Sequence, residues 1–154
     1  MSAMVHLQRS IWRGKGCMRM NYWLMKSEPN VFSWDDCAKQ GRSEWDGVRS
    51  HQAQNNMKAM KKGDQVLFYH SNIGLEVVGI AEIVGEASPD STDDTGKWIA
   101  VDLETREKLP QPVTLKAMKA EPALADMAMI RQSRLSVSPV REAEFKHILK
   151  MGGM

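Results

Sequence analysis

Three short stretches join aromatic rings to hydrogen-bonding or charged side chains. They are Tyr22-Trp23-Leu24-Met25-Lys26-Ser27-Glu28-Pro29, Trp45-Asp46-Gly47-Val48-Arg49 and Phe68-Tyr69-His70-Ser71. An indole or phenol ring can stack on a flat heterocycle while a neighbouring ammonium, hydroxyl or amide reads its polar edge. That is the chemistry by which proteins hold single-stranded or flipped nucleic-acid bases. Trp45 is the first stacking candidate, a contact worth about 1–3 kcal/mol per base. Gly47 lets the backbone approach a ligand or take a positive φ. Arg49, just ahead of a predicted helix, suits a phosphate helped by the helix N-terminus.

Each candidate has a plain structural counterpart. Trp45 could plug the core, with Asp46 and Arg49 paired to each other. Lys26, Ser27 and Glu28 could read the edge of a heterocycle or be ordinary turn chemistry before Pro29. Tyr69 and His70 could complete a cage around a ring, with Phe68 left to the core. Asn55 and Asn56 are poor helix formers in a helical segment, and Arg134 is a second phosphate candidate or a solvated arginine. His51, His70 and His147 lack the spacing of a metal-binding motif, so neither a metal site nor a cofactor is expected.

The elements that must position these residues follow from hydrophobic patterning. Residues 21 to 26 read as an aromatic-rich first strand closed by Pro29. Ser33 caps a short helix through Cys37 and Ala38, with Gly41 beyond its end. The stretch around Trp45 reads as a connection between two helices. Ala53, Met57 and Met60 repeat at helical spacing after Ser50. Residues 65 to 71 form a strand covered on both faces, and 77 to 84 a strand bent at Gly79. A polar loop spans 88 to 96, and residues 99 to 104 alternate as a half-buried strand, after which Pro110 and Pro112 permit only an edge or a strand end. Two short helices, 114 to 119 and 123 to 131, flank Pro122; residues 135 to 138 are extended, and Phe145, Ile148 and Leu149 mark a last helix stopped at Gly152. Strands and helices interleave without a β-α-β repeat, which predicts an α+β fold with a mixed, curled sheet.

A chain of 154 residues suits one domain, expected over residues 20 to 154. Arg9, Arg13, Lys15 and Arg19 all precede Met20, and no acid occurs before Glu28, so the rest carries 17 basic against 19 acidic residues. Residues 1 to 19 are expected to be a disordered extension or the product of an upstream start codon, with no signal-peptide core. The body lacks the basic face that grips long nucleic-acid tracts, yet suits a reader of one base. Two cysteines, Cys17 and Cys37, give no disulfide framework, which points to a reducing, cytoplasmic setting. No apolar run is long enough for a membrane span.

The segments Tyr22 to Pro29, Trp45 to Arg49, Gln52-Ala53-Gln54-Asn55, Phe68 to Ser71 and Arg134-Leu135-Ser136-Val137-Ser138-Pro139, in that order, resemble the EVE domain family over about residues 20 to 152. The resemblance implies a PUA-like fold, a curled mixed β-sheet or barrel with peripheral helices, akin to the YTH domains that read methylated adenine in RNA. It implies binding of modified bases in DNA or RNA, with Ser27, Trp45, Val48, Arg49, Asn55, Tyr69, His70 and Arg134 around the pocket; of these, the chemistry of Arg49 and Arg134 assigns them to phosphate. Lys26 joins the pocket on its position beside Ser27. The expected function is a non-catalytic module that reads a modified base in nucleic acid by inserting it into a partly aromatic pocket. One alternative is a small amidohydrolase acting on a modified nucleoside, as in the related ASCH branch; adjacent residues on an extended chain point apart, however, and no Ser-His or Cys-His signature supports it. The other is a metabolite or protein interaction domain.

Overall fold

The structure, a computed structural model, describes residues 20–154. The expected extension over 1 to 19, with Cys17, lies outside the described residues. Six strands form one mixed sheet: β1 (Tyr22–Ser27), β2 (Ser43–Trp45), β3 (Gln65–His70), β4 (Glu76–Pro89), β5 (Ile99–Thr114) and β6 (Val137–Val140). Their spatial order is β2-β5-β4-β3-β1-β6. Only β1 and β3 run parallel, with Lys26 opposite Tyr69 and Ser27 opposite His70; every other neighbouring pair is antiparallel. Among the described residues there are five α-helices: α1 (Trp34–Gln40), α2 (His51–Lys58), α3 (Leu115–Lys119), α4 (Ala128–Arg131) and α5 (Glu142–Met151).

The period-2 alternation of the strands divides the core in two. Trp23, Met25, Val66, Phe68, Val101 and Leu103 face Trp34 and Cys37 of α1 and Ala53 and Met57 of α2. Tyr22, Leu24, Leu67, Tyr69 and Ile80 face Met118, Leu124, Met127, Phe145 and Ile148 on the other side. Both faces of β1 and β3 are therefore buried, as their nearly unbroken apolar runs require. Register shifts recur along β4, between Val77 and Gly79, Ile80 and Ala81, and Ile83 and Gly85, and such bulges curl a sheet. Helix α2 lies within the curl and ties its two ends. Gln54 donates to Ile99 O of β5 at 2.9 Å and Asn56 to Val137 O of β6 at 2.7 Å.

The predicted helix start at Ser33 is a complete capping box with Asp36, and Ser50 caps α2 by accepting from Ala53 N–H. Four expectations need correction. Ser43–Trp45 is a strand on β5 rather than part of a helix-to-helix connection; at three residues it is too short to show a period. β4 runs on to Pro89, into the expected loop, because Ser88 and Pro89 pair with Ala100 and Ile99. β5 continues past both prolines to Thr114. Pro110 and Pro112 fall where the pairing jumps from Gly79↔Lys108 to Val77↔Val113, so their missing N–H groups cost no ladder bond. Finally, 123 to 131 is not one helix but a 3₁₀ turn, Pro122–Leu124, followed by α4. Leu124, Met127 and Met129 are all buried, and one continuous helix could not turn all three to the same side.

Candidate functional site

Where β1 ends, Lys26 and Ser27 emerge beside the segment leading into β6, since Lys26 N–H donates to Ser136 O at 2.9 Å. The following turn is closed by the Val31 and Phe32 N–H groups on Glu28 O, at 2.9 and 2.8 Å. Ser27 Oγ donates to Phe32 O at 2.5 Å. From the other side, the chain leaves β2 at Trp45, turns at Gly47 with φ of 78°, and enters α2. Between these segments lies a cavity of about 1120 Å³. Its apolar side is Phe32, Trp45 and Val48, and its polar side includes Lys26, Ser27, Ser71, Ser136 and Arg134. Three cations, Lys26, Arg49 and Arg134, meet three carboxylates, Glu28, Glu44 and Asp46, in the lining.

Trp45 is only 7 % exposed. Its ring meets Phe68 edge-on at 5.5 Å and Phe32 at 6.2 Å, and Trp34 and His70 pack edge-on against the same Phe68 at 5.4 and 5.8 Å. The two readings of Trp45 thus coincide: it is core on most of its surface and wall of the cavity on the remainder. Gly79 belongs to the same cluster, because a Cβ there would lie 2.5 Å from the Trp34 ring.

The loop carrying Val48 and Arg49 is held by two buried polar side chains absent from the sequence-derived set. Asp90 Oδ2 accepts from Gly47 N–H at 2.8 Å and from Arg49 Nη1 at 3.0 Å. Its Oδ1 accepts from the Thr92 N–H at 2.7 Å and hydroxyl at 2.6 Å. Burial alone would raise the Asp90 pKa, but the donors, led by the Thr92 hydroxyl, reverse that and bring it to about 2. Arg49 therefore pairs with Asp90 rather than with Asp46. Gln54 donates to Val48 O at 2.9 Å while its amide oxygen accepts from Ile99 N–H at 3.0 Å. The pattern Asp90-Ser91-Thr92 announces a side-chain-closed turn, but nothing local points to Gly47, 43 residues away.

Lys26 Nζ donates to Ser133 O at 2.8 Å and sits 5.9 Å from the Tyr69 ring centroid. Burial lowers its pKa, and among the described residues no carboxylate lies within ion-pair distance of it. Burial likewise raises the Asp46 pKa, with Asp90 and then Glu44 adding repulsion. The rim thus offers a donor short of acceptors and a carboxylate short of donors.

Three of the expected pocket residues lie outside the cavity lining. Tyr69 is 2 % exposed in the core on the opposite face of the sheet, because its odd position on β3 turns it away from Phe68 and His70. His70 shares the face of Phe68, but its Nε2 accepts the Trp34 N–H at 3.0 Å, which closes an open donor in the first turn of α1. Burial lowers its pKa and keeps that nitrogen an acceptor. Asn55 is exposed on α2, one residue after the Gln54 that holds the loop; at 100° per residue, adjacent helical positions cannot share a direction.

The family model of the EVE domain matches residues 21–151. Mouse thymocyte nuclear protein 1 is 36 % identical over 165 residues, covering 85 % of this chain and 73 % of that protein. Rpa0253 from Rhodopseudomonas palustris superposes with a TM-score of 0.83 at 54 % identity, covering 87 % of this chain and 94 % of that one. Human THYN1 protein in complex with DNA containing 5-methylcytosine superposes with a TM-score of 0.80 at 31 % identity, over 87 % and 98 % of the two chains. A YTH domain from Zygosaccharomyces rouxii, at 17 % identity and a TM-score of 0.59, covers 88 % of each chain and shares the PUA-like fold. The cytoplasmic setting expected from cysteine usage is overturned by the mouse relative, which is named as nuclear. Free cysteines report a reducing compartment, and nucleus and cytoplasm are alike in that.

Proposed function

The chain belongs to the EVE domain family, and from that premise we propose that it is a non-catalytic module reading a modified base in DNA or RNA. The observation that carries this reading is the cavity itself, with an apolar aromatic wall on one side and a charge-balanced polar rim on the other. A phosphate tract would call for an excess of cations; a neutral heterocycle calls for a few donors and acceptors around a flat space. Lys26 supplies a donor to a ring carbonyl, the Ser27 oxygen with Asp46 and Glu44 acceptors for an exocyclic amine, and Val48 and Phe32 an apolar contact for an added methyl. Arg49 and Arg134 flank the opening for phosphates. The human relative bound to DNA containing 5-methylcytosine supports the reading and makes that base the first to test.

Hydrolysis is disfavoured by where the polar groups are committed. The Ser27 proton lies on Phe32 O and the Lys26 ammonium on Ser133 O, so Ser27 has no base to activate it. The test is a titration of the protein with short oligonucleotides carrying one 5-methylcytosine or one cytosine, in DNA and RNA, using Lys26→Ala rather than Trp45→Ala. Truncating Trp45 would remove core packing at a cost of about 3–5 kcal/mol and confuse folding with binding. A preference of about tenfold for the methylated base, the scale of one methyl in an apolar pocket, is expected, with binding of both bases weakened alike in a folded Lys26→Ala. Equal affinity for both bases removes the reading.

A further inference from the structure

Beyond the cavity lining, the last tryptophan of the chain stands out. Trp98 is half-buried at the end of a polar loop, and three basic or titratable side chains gather on its ring. Lys97 Nζ lies 5.0 Å and Arg49 Cζ 5.4 Å from its centroid, and the His51 ring 5.4 Å away at 32°. Arg49 also lines the cavity, so the indole and the cavity share a wall. The ring is held in place on both chain sides. Trp98 N–H donates to Asp93 Oδ2 at 2.8 Å, Trp98 O accepts from Asp90 N–H at 3.0 Å, and the next residue, Ile99, is clamped by Gln54.

On the basis of the base-reading function, we infer that Trp98 is the stacking platform for the nucleotide adjacent to the one in the cavity. Lys97 and His51 are exposed, so they can leave the ring for a phosphate as a base takes their place; cations over an indole and bases over an indole use the same π-face. Arg49 stays fixed to Asp90 between the two sites. The module would then bind a modified base in its sequence context, with sequence-tolerant stacking at the neighbour.

The test is a double-mutant cycle between the full chain and single-stranded DNA containing one 5-methylcytosine. The 5′ or the 3′ neighbour is replaced by an abasic sugar, and the wild type, Trp98→Ala and Trp98→Phe are titrated. One of the two abasic strands is expected to bind the wild type about tenfold more weakly. Trp98→Ala should bind the intact strand at that reduced level and lose nothing further on the abasic one, while Trp98→Phe keeps the discrimination. Losses that simply multiply, or unchanged binding by a folded Trp98→Ala, overturn the inference. If a strand with unmethylated cytosine binds as well as the methylated one and the coupling persists, the base-reading function fails and the platform stands; no binding of any strand, nor of the RNA equivalents, overturns both.

Discussion

Replacing Asp90 by Asn removes one charge and almost no volume, at the point where the loop of Gly47 and Arg49 is fastened. The carboxylate accepts four hydrogen bonds, two on each oxygen. An amide can present its oxygen to only one pair, and the Thr92 hydroxyl can turn to accept from the new NH₂ group. At least one bond to a charged acceptor is then lost outright and the others weaken, a cost of about 2–3 kcal/mol. The same size follows from titration. A pKa lowered from 3.8 to about 2 corresponds to about 2 kcal/mol of extra stability for the ionised form. Because the folded-state value is the lower one, that stability is fully present above pH 3.8 and is lost as pH falls towards 2. Urea unfolding at pH 7, 5, 3.5 and 2.5 should show Asp90→Asn about 2 kcal/mol less stable than the wild type at the first two values. The gap should close progressively at the last two. A constant gap down to pH 2.5 would refute the idea that the charge of Asp90 holds the loop, and so would a gap near zero at pH 7.

In the Gln52-Ala53-Gln54-Asn55-Asn56 run, Gln54→Ala should destabilise by about 3 kcal/mol by removing one of the two donors on Val48 O and leaving both Ile99 backbone groups without their side-chain partner, while Asn55→Ala stays within about 0.5 kcal/mol; comparable midpoints in chemical denaturation would contradict this. Gly79→Ala forces a methyl against the Trp34 ring and should cost about 1–3 kcal/mol, with a shifted Trp34 indole resonance; an unperturbed spectrum counts against that contact. His70, with a folded-state pKa lowered by burial, stays neutral to a lower pH than a solvated imidazole, whose ordinary value is about 6.5. Acidification below that value should protonate it, release the Trp34 N–H and lower stability, since the unfolded chain takes up the proton first. An NMR titration of His70 at or above pH 6.5 would exclude it.

The residues themselves determined most of the elements. Alternation fixed which of Tyr22 to Met25 and Val66 to Tyr69 share a face, Ser33 and Ser50 marked two helix starts, and the aromatic-plus-polar segments marked the side of the molecule where the cavity lies. These are local signals, set by periodicity and by caps within one turn. Tertiary structure decided the rest because it depends on contacts between distant segments. Asp90 meets Gly47 and Arg49, Gln54 meets Ile99, and Trp98 meets Arg49 and His51, through loops and edges whose placement follows from how the whole sheet curls. The same curl gave Ser43–Trp45 its strand partner in β5 and allowed β5 to run past two prolines at a register shift. It also sent His70 to cap α1 and Tyr69 to the opposite core. A side chain's type states what it can bond, and only its neighbours in the folded chain decide which of those bonds is left for a ligand.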